Sequence, residues 1–458
     1  MRKIFAIESQ NPPLGLLYLA SSLEKNEHKV EIIDFCCEKF TEEKLKKAIE
    51  NIDAVGLTVR SYGVNSVSYI IDFIKKQNEN IITIVGGPHC TLDPEKALVD
   101  THADICVEGD GEIALAKIVG SLVRNEELSN IPGVFYKKDE KIIRGPPAEV
   151  IMDLDSLPYP NRDLVYKYSY GAVQNDIKLG KGKVTEIMIS RGCPYNCRFC
   201  TNKAITKKYR TRSAENVIEE IKLISKKYDF LFILDDNFFV DMKKSLKILD
   251  AIIEEKLDLE MAIAGIRVDA VTDEMFMKMK KAGVTLIAFG IESGNQDVLD
   301  YYQKGTTIEQ ITKAVKLARK YNFMISGNFI LGAPFETEQH FKKTIQFAKK
   351  LPLDMAVFAP LKYVKGSPLW LEAFNKGLVN EDEIFVTSDS ARGLGSFPKL
   401  ELENKCIKTF QDFYLRPRFI LKQIFKAIVK RDYRLIKSGI KILIKPNNIL
   451  TYKPPDKS

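Results

Sequence analysis

VTEIMISRGCPYNCRFC, residues 184–200, is the stretch that decides how this chain folds and what chemistry it supports. Its first seven residues are rich in strand-forming side chains and read as a β-strand. Cys193, Cys197 and Cys200 follow at once, spaced C-x3-C-x2-C, with Phe199 just before the last. Three thiolates on one short loop can each ligate an iron of a cubane 4Fe-4S cluster. The fourth iron is then left without a protein ligand and open to a chelating substrate. A structural zinc site would need a fourth Cys or His close by. The only histidines are His28, His89, His102 and His340, and the next cysteine downstream is Cys406.

Downstream of the motif, strand-like runs recur near 230–235, 260–266, 284–291, 325–331 and 355–363, with helical stretches between them. Six parallel strands with intervening helices predict an open, partial (β/α)6 barrel over 181–375. Upstream, KIFAI (3–7), KVEIID (29–34), DAVGLTV (53–59), IITIVGG (81–87) and ADICVEG (103–109) alternate with amphipathic segments. That alternation predicts a doubly wound, Rossmann-like parallel sheet within 1–130, in an α/β chain overall. Ligands of such sheets bind beyond the carboxyl ends of the strands, where NPPLG, TVRSYG, GGPHC and EGDGE lie. Between the two, 131–180 reads as a hairpin (VFYKKDEKIIRG) and a Pro-studded linker. From 376 to 458 the strand signal fades and a basic helical region is expected.

At 458 residues, 45% hydrophobic and 28% charged, the composition is that of a folded chain. No apolar run approaches the roughly 20 residues that span a bilayer, and no signal peptide is evident, so a cytoplasmic location is expected. Clustered cysteines in such a chain bind metal more often than they form disulfides. Residues 401–458 hold 14 Lys/Arg against 5 Asp/Glu, a local +9 in a chain of net +8, so everything before them sums to −1. Only the tail is basic.

The CxxxCxxC motif at the end of a first barrel strand, with an aromatic before its last Cys, resembles the radical S-adenosylmethionine (SAM) superfamily. The resemblance implies a 4Fe-4S cluster on Cys193, Cys197 and Cys200, reductive cleavage of SAM, and a 5′-deoxyadenosyl radical that takes hydrogen from an unactivated carbon. SAM contacts are implied at Phe199; at Asp235, Asp236 and Asn237 of FILDDNF (232–238); at Arg267; at Glu292 and Ser293 of FGIESG (289–294); and at Gly332 of GNFILGAPFET (327–337). Each has an ordinary alternative. Asp235 and Asp236 would cap the helix starting near 241, Glu292 would be a solvated strand-end acid, and Arg267 would have an ordinary surface or salt-bridge role. Arg210 and Arg212 are read as setting the loop and helix start after the cluster.

NPPLGLLYLASSLEKNEHKVEIIDF, VGGPHCTLDPE, EGDGE and the linker DLDSLPYPNRDL resemble the cobalamin-binding domain that precedes many radical SAM domains. Cobalamin contacts are implied at Pro12, Pro13, Leu14, Gly15, Thr58, Ser61, Tyr62, Gly86, Gly87, Pro88, His89, Glu108, Gly109 and Gly111. The D-x-H-x-x-G motif that supplies a histidine to cobalt elsewhere is absent. DTHADI (100–105) imitates only its start, and His89 is read as a loop contact. Cys36 and Cys37 are read as packed thiols, on opposite faces if the chain is extended there.

The resemblance implies a cobalamin-dependent radical SAM enzyme of the class B methyltransferase type, acting on a carbon centre. The same family includes cyclases and C–C coupling enzymes without net methyl transfer. Two other readings stay open: a methylthiotransferase, which would carry a second cluster, and a cobalamin- or metal-binding sensor without turnover. Expected partners are a small-molecule or lipid substrate and a flavodoxin- or ferredoxin-like one-electron reductant. Nucleic acid is not expected, since no RNA-binding motif accompanies the basic tail. Ile420, Ile424, Ile428 and Val429, interleaved with Arg418, Lys422, Lys426, Lys430, Arg431 and Arg434, read as a basic amphipathic helix. Such a helix either touches a membrane surface or packs on the barrel with its polar face in solvent. No residue is assigned a catalytic role.

Overall fold

The computed structural model describes residues 3–6, 11–139, 141–171, 173–174, 177–178, 180 and 182–430. Those residues form two compact units. One runs through Tyr170 and also includes Asn202–Thr211; the other holds Gly171–Thr201 and continues from Arg212.

In the first unit, strands β1 (Lys3–Ala6), β2 (Ile32–Asp34), β3 (Ala54–Thr58), β4 (Ile82–Gly86) and β5 (Ile105–Val107) form a parallel sheet in the order β2-β1-β3-β4-β5. A hairpin, β6 (Val134–Lys138) and β7 (Lys141–Arg144), extends the sheet antiparallel from β5. Alternation along each strand shows why both faces are covered. Ala54, Ile84, Ile105 and Val107 pack with Leu17, Leu23 and Ile118 from the Leu14–Glu24 and Gly111–Val123 helices. Val55, Leu57, Val85 and Cys106 face the other way, onto Val67, Ile71 and Ile74 of the Val64–Gln77 helix. The doubly wound sheet is thus as the strand–helix alternation predicts.

In the second unit, β8 (Val184–Ile187), β9 (Phe230–Ile233), β10 (Glu260–Ile266), β11 (Val284–Glu292), β12 (Met324–Leu331) and β13 (Met355–Pro360) are all parallel and neighbour one another in chain order. This is the open six-stranded barrel. The helices between strands begin at side-chain caps: Ser213, Asp241, Thr272 and Thr307 each accept a backbone N–H three residues on. All SAM-contact candidates lie at or beyond the carboxyl ends of these strands.

The C-terminal region differs in two respects from the expectation. It contains a short strand, β15 (Phe385–Thr387), which pairs antiparallel with β14 (Lys362–Val364). In the Pro417–Lys430 helix, the apolar side faces out: Leu421, Phe425, Ile428 and Val429 are each more than half exposed, while Ala427 is buried and Lys426 pairs with Asp354 at 2.5 Å. On the cationic side Lys426 is turned inward, while Arg418 and Lys422 stay exposed beside the apolar residues. Arg431, Arg434 and ILIK (442–445) lie outside the described residues. No helix among the described residues is long and apolar enough to cross a membrane.

Candidate active site

The cysteine loop is fastened at every turn. Asp235, buried at the end of β9, accepts from Ile189 N (2.7 Å) and Ser190 Oγ (2.5 Å), and Asp236 accepts from Gly192 N at 3.2 Å. The helix that these acids were expected to cap as an alternative is capped by Asp241. The two carboxylates hold the strand and loop leading into Cys193. Burial pushes Asp235 up to about 6 against the hydrogen bonds that favour its anion.

The next fastening is Tyr195, between Cys193 and Cys197. The Arg267 guanidinium lies 3.7 Å from the Tyr195 ring centroid. Arg267 is itself fixed by a bidentate bond to Asp269 (3.0 and 2.8 Å) and by the Lys304 carbonyl (2.7 Å). It is buried and ion-paired with Asp269, so the surface role does not hold while the salt-bridge role does.

Arg198 N donates to Tyr302 O and Arg198 O accepts from Leu369 N, both at 3.0 Å. The Arg198 side chain pairs with Glu372 and covers the Tyr301 ring at 4.4 Å. Phe199 meets the buried Tyr302 edge to face at 5.3 Å, which accounts for the aromatic before the last cysteine. Cys200 N then donates to Cys197 O at 3.0 Å, closing a turn that leaves the Cys200 side exposed.

Glu292 is not a solvated strand-end acid. It is buried, adopts φ 64°, and pairs with buried Lys304 at 2.7 Å. Burial pulls the Lys304 ammonium down, but the Glu292 carboxylate and the Cys197 thiol hold it above its ordinary value. Ser293 is wholly internal: its hydroxyl shares a hydrogen with Thr344 and accepts from Asn295 N. It shapes the turn and offers no surface for a ligand. Gly332, at φ 104°, donates its N–H to buried Glu336, as does Ala333. Asn237 accepts from Phe239 N, and its buried Nδ2 has no partner among the described residues.

Lys304, Tyr195, Tyr302 and Glu336 were missed by sequence reasoning. Of these only Tyr195 carried a signal, its place inside the motif. The others are ordinary letters in QKG, DYY and PFET.

Among the described residues no three His, Cys, Asp or Glu side chains stand in a metal-holding arrangement. The donor set nonetheless fits a cluster. Three thiols outside any disulfide share an eight-residue loop. Two buried cations, Arg267 and Lys304, stand close enough to act on Cys197 and offset thiolate charge. A buried, unpartnered amide donor, Asn237, waits at the neighbouring strand end for a polar ligand.

In the first unit, the cobalamin-contact candidates share one sheet edge. Pro12, Pro13, Leu14 and Gly15 lead into the helix after β1, and among the described residues nothing stands within 4 Å of a Cβ placed on Gly15. Thr58 ends β3, with Ser61 and the exposed Tyr62 just beyond. Gly86 ends β4, and Gly87 (φ 107°) brings the chain so near Thr58 that a Cβ would be 2.8 Å from its Oγ1. Pro88 and His89 open a short helix, where His89 is buried with Nδ1 3.2 Å from Ser61 Oγ; it is helical, not in a loop. Glu108, Gly109 and Gly111 follow β5, and Gly109 N donates to Thr91 Oγ1 of that helix at 3.1 Å. His102, in DTHADI, is exposed and pairs with Asp72. Cys36 and Cys37 occupy a turn bonded to Asp34, and Cys36 is exposed; the chain is not extended there, so neither the opposite-face reading nor packing of Cys36 holds.

A parallel sheet with an open glycine-rich edge and a partial barrel carrying CxxxCxxC define a B12-type and a radical SAM-type module in one chain. The family descriptions agree: residues 4–119 match the B12 binding domain and 187–348 the radical SAM superfamily. An uncharacterised methyltransferase of Pyrococcus horikoshii is 34% identical, over 93% of this chain and 94% of its own. An anaerobic magnesium-protoporphyrin IX monomethyl ester cyclase of Rubrivivax gelatinosus is 25% identical, over 92% of this chain and 77% of its own. The radical SAM methyltransferase TsrM of Kitasatospora setae, solved with cobalamin and a [4Fe-4S] cluster, shares the fold at TM-score 0.69 and 18% identity, covering 82% of this chain and 75% of its own. The chain belongs to the family of radical SAM enzymes that carry a B12 binding domain.

Proposed function

We propose that the chain methylates an unactivated carbon of a small molecule. The observation that carries this is the methyltransferase relative matched almost end to end at 34% identity. When bound, the cluster supplies one electron to SAM and cobalamin carries the methyl group. The chain's own residues hold these groups. Cys193, Cys197 and Cys200 ligate iron, with Arg267 clamping Tyr195 to keep their loop in place. Lys304 and Arg267 offset negative charge beside Cys197. Asn237 and the Gly332 turn line the SAM side, and the edge formed by NPPLG, TVRSYG, GGPHC and EGDGE takes the corrin, within a cobalamin domain at 1–130. A flavodoxin- or ferredoxin-like donor supplies the electron.

The test is anaerobic turnover of the reconstituted chain with methyl-deuterated SAM, hydroxocobalamin and a metabolite extract. Production of both 5′-deoxyadenosine and S-adenosylhomocysteine, with label in a new product, is expected. 5′-Deoxyadenosine alone would favour the cyclase reading, which the Rubrivivax relative supports. Neither product would overturn both.

One further reading rests on the outward apolar side of the Pro417–Lys430 helix, flanked by Arg418 and Lys422: peripheral contact with an anionic membrane. Flotation with vesicles containing phosphatidylserine tests it, and equal behaviour with neutral vesicles alone would end it.

A further inference from the structure

The segment immediately after the cluster motif folds with the B12-type unit. Asn202–Thr206 forms a short helix two residues beyond Cys200, yet Asn202–Thr211 belongs to the first unit. That helix packs on the Pro88–Leu92 helix, which carries His89. Lys207 then pairs with Glu108 at 2.8 Å. Arg210, buried, pairs with Asp110 and donates to Ile151 O at 2.9 Å, while Asp110 also accepts from Ile151 N at 3.1 Å. Glu108 and Asp110 bracket Gly109 in the turn after β5. One ten-residue segment thus grips two loops of the proposed corrin edge, and it begins two residues beyond Cys200, a proposed iron ligand.

We propose that Lys207 and Arg210 are positioning residues that couple cobalamin binding to cluster assembly. The physical reason is continuity. Fixing Cys200 on iron restrains the chain leading to Arg210, and ordering that chain fixes Glu108 and Asp110 where the corrin sits. A ligand that finds its loops already ordered binds more tightly, and the effect is reciprocal. Buried Arg–carboxylate pairs suit this role, because their fork geometry specifies position as well as charge. The inference rests on the reading that the first unit binds cobalamin.

The experiment measures the affinity of hydroxocobalamin by equilibrium dialysis, with and without the reconstituted cluster, for the full chain and for Arg210→Met and Arg210→Lys. In the unsubstituted chain the cluster is expected to tighten binding roughly tenfold, a typical coupling. Arg210→Met is expected to bring that ratio to about 1 while iron content and circular dichroism are retained, and Arg210→Lys, which keeps the charge, to restore part of it. Equal affinity with and without cluster in the unsubstituted chain would overturn the inference and leave the functional reading standing. So would a ratio unchanged in Arg210→Met. No cobalamin binding in any state would instead overturn the functional reading itself. Should Arg210→Met lose its fold, Lys207→Met, at a more exposed pair, carries the same comparison.

Discussion

Single residues carry the strongest expectations. Arg267 spends its guanidinium on Asp269, the Lys304 carbonyl and the Tyr195 ring, so Arg267→Met releases the cluster loop and leaves Asp269 unmatched. A loss of about 1–3 kcal/mol is expected, together with faster iron loss to a chelator than in the unsubstituted chain. Glu336 makes a pH-dependent prediction. Burial pushes it up to about 7, and Oε1 has no partner among the described residues while Oε2 accepts two N–H groups. Between the ordinary carboxylate range and about 7 the native chain holds a proton that the unfolded chain has lost, so stability falls as pH rises through that window. Glu336→Gln keeps an acceptor and cannot ionise. It should match the unsubstituted chain at acidic pH and exceed it above neutrality by about 1–3 kcal/mol, as read by urea unfolding. Such residues show where sequence reading stops. The thiols and Phe199 were legible because one loop holds them all. The Glu292–Lys304 and Arg210–Asp110 pairs were not, since hydrophobic pattern reports burial and says nothing of which charge a buried charge will meet.

Among elements, the strands were the most readable part of the chain. Ile, Val and Phe runs bounded by Gly and Pro mark each strand, and their alternation with amphipathic helices fixes parallel pairing. The lengths were overread, since KVEIID (29–34) and ADICVEG (103–109) pair only over Ile32–Asp34 and Ile105–Val107. The irregularities were hidden. Register slips between β10 and β11 around Ile263–Ile266, where Gly265 sits at φ 68° with the Asp235 and Asp236 carbonyl oxygens 2.6 Å from any Cβ placed there. A lone Gly in a strand hints at such a kink without naming what approaches it. Gly265→Ala should cost roughly 3 kcal/mol, through strain and the collision with backbone. Because it displaces the two acids that anchor the cysteine loop, it should also weaken SAM binding severalfold, measured by calorimetry.

At the scale of the whole molecule, charge asymmetry was legible and its spatial meaning was not. The basic tail read as an amphipathic helix, and packing turned one of its cations inward: Lys426 meets Asp354, which Arg319 also binds, while Arg418 and Lys422 stay exposed. The ridge of Leu421, Phe425, Ile428 and Val429 stays outside, since the Lys426–Asp354 pair sets which side of the helix is held inward. Leu421→Glu with Phe425→Glu should leave urea stability within about 0.5 kcal/mol, as surface changes do, while abolishing association with anionic vesicles.

An open sheet also has raw borders. At the outer strand, β13, the Tyr414 hydroxyl accepts from Ala356 N at 2.9 Å and donates to Ala356 O at 3.2 Å, taking the place that a seventh strand's peptide would fill. The helix that brings it, Lys399–Tyr414, lies along the same strand. A phenol thus stands where a stranger's backbone would dock, and what keeps the barrel incomplete also keeps it from recruiting other chains into a growing sheet.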